Sequence, residues 1–227
     1  MLPLLRATAL AVFSAMSLSA CAGDASVLKP PVGAKVAIVV FEDLESPECA
    51  GAYPMVVEAA EARKIPVMLY DFPLPRHNWS FSAAVWARYF DAQDTKSVKM
   101  GNEFRRFVYA NQKQISRDNL QQWVEKFAGE HHVALPAAND PDGKLGQKVK
   151  ADFALGQRIG VEHPPTIWVI SNGGISQPAV EEVTNSQLSQ MIDEVLKKAQ
   201  TAGTKNSAPK KNALSRQQKL SNQGVYP

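Results

Sequence analysis

The run Lys35–Phe41, KVAIVVF, constrains this chain more than any other stretch. It is apolar and β-branched without the polar alternation of a half-exposed strand, so it suits a strand buried at the centre of a sheet. Cover for such a strand must come from other elements, and the flanking sequence reads as helix. Ser46 to Arg63 has apolar residues at helical spacing and opens on Ser46-Pro47-Glu48: a favoured N-cap, a proline at the first helical position and an acid in the first turn. Ile65 to Phe72 reads as a second strand that runs into Pro73-Leu74-Pro75. From Trp79 to Val133 the pattern is helical throughout, with Ser116 a candidate cap. Lys144 to Ile159 is helical again, and Thr166 to Ile170 is a third strand. Asn172-Gly173-Gly174 reads as a hairpin turn leading to a fourth strand, Ile175 to Val180. Thr184 to Gln200 closes the chain's ordered part as an amphipathic helix with Leu188, Met191, Ile192, Val195 and Leu196 on one stripe. The order predicts an α/β sheet with a helical insertion at about 79–133.

The two ends read differently. Residues 1–20 hold one early cation, Arg6, then an apolar stretch and small residues, the pattern of a secretory signal. Its end, Leu18-Ser19-Ala20-Cys21, resembles a bacterial lipobox, which implies lipidation of Cys21 and a chain anchored to a membrane of the bacterial cell envelope, facing the periplasm. Residues 21–34, with Pro30-Pro31, read as a tether, and 35–201 as the folded domain. The 227-residue chain has a net charge of +3. Residues 202–227 hold Lys205, Lys210, Lys211, Arg216 and Lys219 and no acid. Removing these five cations and Arg6 leaves the body at −3, so the basic balance belongs to a tail expected to be disordered. No basic-aromatic interleaving points to nucleic acid. Adjacent His131 and His132 point different ways on a helix, so no metal site is expected, and no cofactor. The only cysteines are Cys21 and Cys49. With Cys21 lipidated, Cys49 is the single remaining thiol and no internal disulfide can form.

Three local patterns resemble the DsbA-like branch of the thioredoxin superfamily. Val36-Ala37-Ile38-Val39-Val40-Phe41-Glu42-Asp43-Leu44-Glu45-Ser46-Pro47-Glu48-Cys49 is similar to the family's first strand and its Cys-x-x-Cys motif. Asp71-Phe72-Pro73-Leu74-Pro75-Arg76-His77 is similar to the segment after the second strand. Gly160-Val161-Glu162-His163-Pro164-Pro165-Thr166 sits where the family has its cis-proline loop. The resemblance spans about 35–200 and implies a thioredoxin-like fold with a helical insertion, in which Pro165 is cis and faces the motif. It also marks Ser46 and Cys49 as the degenerate catalytic pair, Pro164, Pro165 and His163 as the substrate-binding loop, and a protein or peptide as the client.

The departures from the family pattern concern chemistry. Ser46 replaces the nucleophilic cysteine, and a hydroxyl neither attacks a disulfide nor releases a mixed one. Val40 stands where relatives carry a buried acid. Glu42 continues the face of Val40 and Asp43 the opposite one, with solvation at the strand end the plain expectation for both. Pro164 has no N–H with which to pair a client backbone. His163, if protonated and close, would lower the Cys49 pKa; otherwise it fills a surface position. His77 reads as a loop-packing residue. The main reading is a binding scaffold without dithiol redox activity. The alternative is a single-thiol enzyme: Ser46-Pro47-Glu48-Cys49 also resembles the peroxiredoxin T/S-x-x-C, with Arg76 or Arg158 as candidate partners, or Cys49 exchanges with an external thiol.

Overall fold

The computed structural model describes residues 25–95, 99–172, 174–175 and 183–206. Strand β1 (Val36–Glu42) is buried at every position, as its unbroken apolar run requires. It lies between β2 (Val67–Asp71), to which it is parallel, and β3 (Thr166–Ser171), to which it is antiparallel. A short β4 (Gly174–Ile175) pairs with β3, so the sheet order is β2-β1-β3-β4. Helix α1 (Pro47–Arg63) makes the crossover that the parallel pair needs.

Alternation along β1 divides the core in two. Val36, Ile38 and Val40 pack with Ala52, Val56 and Ala60 of α1 and with Leu188, Ile192 and Val195 of α6 (Asn185–Asn206). Ala37, Val39 and Phe41 face the other way, onto Phe72, Ile159, Trp168 and Phe153 of α5 (Lys144–Arg158). Helix α5 comes close because Gly156 has no side chain: a Cβ there would lie 2.7 Å from the Phe72 ring and 3.0 Å from that of Phe41. The insertion consists of α2 (Ser80–Asp91), α3 (Met100–Asn111) and α4 (Leu120–Glu130), wrapped around Trp79, Trp86, Phe90, Phe104 and Phe127. Cys49 and Tyr53 of α1 complete that cluster, so the motif helix joins the insertion to the sheet.

Three assignments differ from the sequence reading. Leu28, in the expected tether, is 2% exposed and packs with Ile170 in the core beneath the sheet. Helix α6 continues to Asn206, into the segment read as tail. It opens on a capping box, in which Thr184 N–H donates to Gln187 Oε1 and Gln187 N–H donates to Thr184 Oγ1. Ser116 does not cap α4. A turn intervenes: Ser116 N–H donates to Asn119 Oδ1, its carbonyl accepts from Leu120 N–H, and Asn119 takes the cap position. Of the expected fourth strand, only Ile175 falls within the described residues; 176–180 lie outside them. Residues 1–20, read as a secretory signal, Cys21 and residues 207–227 also lie outside the described residues. Among the described residues no helix is long and apolar enough to cross a membrane.

Candidate functional site

Strand β1 ends at Glu42, and the turn 43–46 delivers the chain to α1. Ser46 is the N-cap: its Oγ accepts from Cys49 N–H at 3.2 Å, while its hydroxyl donates to Glu48 Oε2 at 2.8 Å. Gln112, just beyond α3, clamps the turn by donating its amide N–H groups to the carbonyls of Leu44 and Ser46, both at 2.9 Å. Ser46 is 2% exposed, so the residue at the nucleophile's position is buried and fully engaged. Cys49 is equally buried. Asp43 N–H points at its Sγ, 3.4 Å away. Burial pushes the Cys49 thiol up to about 12, only partly opposed by hydrogen bonds from Asp43 and Ser46, and the Glu42 and Asp43 charges add to the rise.

The two acids after Phe41 are not solvated, contrary to expectation; Glu42 is 3% exposed and Asp43 1%. The insertion folds over the end of β1 and covers both. Asp43 accepts from the backbone N–H groups of Glu45 and Leu74, at 2.8 and 2.7 Å, from the Ser80 hydroxyl, and from His77 through Nδ1 at 2.7 Å. The motif turn and the Pro73–His77 loop, two separate matches in sequence, are thus tied by one carboxylate. His77 joins that loop to the motif turn through this bond. Glu45 Oε2 accepts from Trp79 and Ser80 N–H and so caps α2, whose own N-cap residue makes no side-chain cap.

Glu42 lies on the α1 side of the sheet. Its carboxylate accepts from Arg105 Nε at 2.8 Å and from the Tyr109 hydroxyl at 2.9 Å, both on α3. Burial raises its pKa to about 7, against the lowering effect of Arg105. Arg105 also bonds Asp91, at 2.8 and 3.2 Å, and lies 3.9 Å from Asp71. Asp71 in turn pairs with Arg88, which reaches Asp152.

The proline loop lies on the other side of the motif. The Pro164–Pro165 bond is cis, and Pro165 lines the same cleft as Cys49. Pro164 is buried, whereas His163 is exposed, its carbonyl accepting from Thr166 Oγ1 at 2.5 Å. Arg76 is exposed and its charge acts on Glu48; Arg158 is exposed at the last residue of α5. His131 packs on the Phe127 ring, 4.2 Å between centroids.

The fold joins Ser46 to Cys49 through the helix cap, puts Cys49 and Pro165 on one cleft, and leaves His163 at the surface. Glu42, Asp43, Gln112, Arg105 and Tyr109 were not singled out as site residues. A pair of acids directly after a buried strand was a usable signal for the first two. The other three lie on or beside a helix far along the chain and carry no local mark.

Residues 32–194 match the sequence profile of the family described as Thioredoxin. Among curated proteins there is no match. Among solved structures, the chain is similar to alpha-DsbA1 of Wolbachia pipientis, at 16% identity and a TM-score of 0.59 over 77% of this chain and 92% of that one. It is similar to DsbA2 of Pseudomonas aeruginosa, at 16% identity and a TM-score of 0.55 over 74% and 93%. It is similar to ScsC of Proteus mirabilis in a transitional conformation, at 17% identity and a TM-score of 0.55 over 73% and 69%. By the profile match over residues 32–194 this chain belongs to the thioredoxin family, and by its likeness to the solved structures it has the fold of the DsbA-like thiol-disulfide oxidoreductases.

Proposed function

We propose that this chain is a lipid-anchored protein of the bacterial envelope that keeps the family's client-facing surface but performs no dithiol exchange, and acts as a binding scaffold for a protein or peptide. One observation carries the reading: both motif side chains are buried and engaged, Ser46 Oγ in the helix cap and the Cys49 thiol under a pKa of about 12. Disulfide exchange needs a thiolate to attack and a second thiol to release the product, and neither role is filled. The anchor and the location rest on Leu18-Ser19-Ala20-Cys21 at the end of the N-terminal apolar segment. An extended client would meet the Pro164–Pro165 loop, where Pro164 offers a carbonyl and no N–H.

The single-thiol reading keeps one observation in its favour: Cys49 lines a cleft. Alkylation decides between the two. Iodoacetamide labelling of Cys49, followed by intact mass across pH in native and denatured protein, is expected to show reaction only after unfolding. Native labelling with an apparent pKa well below the free-thiol value of about 8.5 would overturn the scaffold reading and make peroxide the next substrate to test.

A further inference from the structure

Behind the motif turn, a cleft of about 830 Å³ runs beneath α1 towards α3. Its walls are mainly apolar: Val40, Ala52, Val56, Val57, Val67 and Leu69. Its size suits a small organic ligand. Three further features give it a chemical preference.

First, Glu42 lines the cleft, and each of its oxygens receives one protein donor, leaving acceptor capacity on both. Second, the ionic network behind Glu42 is short of positive charge. Four carboxyl groups, Glu42, Asp71, Asp91 and Asp152, share two guanidiniums, Arg88 and Arg105. Third, Tyr53 and Tyr109 line the same cleft with ring centroids 5.1 Å apart. Aromatic faces beside a carboxylate in an apolar wall are the surroundings that favour an organic ammonium over an anion. The cations of the rim do not reverse this preference: Lys99 is paired with Asp94 at 3.3 Å and Arg106 with Glu103 at 3.5 Å, and Lys64 shares the rim with Glu61.

We propose that the cleft beneath α1 is a binding site for a small apolar cation of the alkylammonium class, with its chain along Val56, Val57 and Leu69 and its nitrogen at Glu42 and the two tyrosine rings. The assignment goes beyond the scaffold reading, and the cleft shares Cys49 and Pro165 with the site described above.

Hexylammonium, hexanol and hexanoate are matched probes that differ only in the head group. Each is titrated into the full ¹⁵N-labelled chain at one pH and ionic strength, and amide shifts are mapped. Hexylammonium is expected to shift residues of α1, β2 and α3 around the cleft saturably, hexanol more weakly and hexanoate not at all. Val57→Trp, which fills the cleft from a partly buried position, and Glu42→Gln should each weaken hexylammonium by about tenfold or more. If Glu42→Gln does not fold by circular dichroism, Val57→Trp and the head-group series decide the matter. Equal binding of hexanol or hexanoate overturns the cation assignment. Shifts that map to surface carboxylates, persist in Val57→Trp or fail to appear overturn the site itself.

Discussion

At the scale of single residues, this motif turn is held by caps rather than by reactive groups. A serine is a better N-cap than a cysteine, so Ser46 secures the start of α1. Ser46→Ala is expected to cost about 1 kcal/mol in chemical denaturation, and to leave Cys49 protected from alkylation in the native state, because burial rather than the cap keeps the thiol unreactive. Asp43 matters more. Its carboxylate receives four donors from two loops and α2. Removing it leaves buried N–H groups of Leu74 and Glu45 without partners, so Asp43→Ala should lose roughly 3–5 kcal/mol in urea unfolding. A loss below about 1 kcal/mol would mean that water replaces the carboxylate and the turn is not held this way.

At the scale of elements, α1 is the component on which the site depends. It opens under Ser46 and closes in a Schellman arrangement, with Ile65 N–H bonded to Ala60 O and Lys64 N–H to Glu61 O, both at 3.1 Å. The left-handed position, φ 52°, is held by Lys64 rather than glycine, against the steric preference of a residue with a Cβ. Lys64→Gly should therefore stabilise the protein by about 1 kcal/mol, read as a rise in thermal midpoint. No change in midpoint would show that the Lys64 side chain offsets the strain through packing at the cleft rim. The helices on either side were readable as helices, but not the way they are capped. Helix α2 draws its cap from Glu45, thirty-four residues before Trp79, and such a cap leaves no local pattern.

For the molecule as a whole, the buried ionic network between the sheet and the insertion links stability to pH. Glu42 has a pKa of about 7 in the folded protein against an ordinary value of 4.5. Burial likewise raises Asp71 and Asp152. A raised acid binds its proton more tightly in the folded state, so this contribution is fully present below the unfolded value and is lost as pH rises through the folded one. Stability should fall between about pH 4.5 and 7, by at most about 3 kcal/mol from Glu42. Exposed Glu48 and Asp193, both lowered, act weakly in the opposite sense at lower pH. Urea unfolding at pH 5 and pH 8 measures the slope, and Glu42→Gln should flatten it. A flat profile in the parent protein would mean that Arg105 keeps Glu42 ionised throughout.

By itself the sequence determined the central strand, the capped motif helix, the order of elements and the serine at the first motif position, because these depend on local pattern, local capping and the identity of a single residue. The unbroken apolar run Val36–Phe41 and the Ser46-Pro47-Glu48 start are written in adjacent positions, and the structure keeps both. Only the tertiary structure decided that Glu42 and Asp43 are buried. A polar residue at a strand end is solvated or covered according to what the chain places over it, here helices that begin only at Ser80 and Met100. It also decided that Leu28 belongs to the core, that Gln112 closes the turn, and that a cleft forms between residues of β1, α1, β2 and α3. Each of these depends on partners distant in sequence, and neither periodicity nor propensity carries information about them.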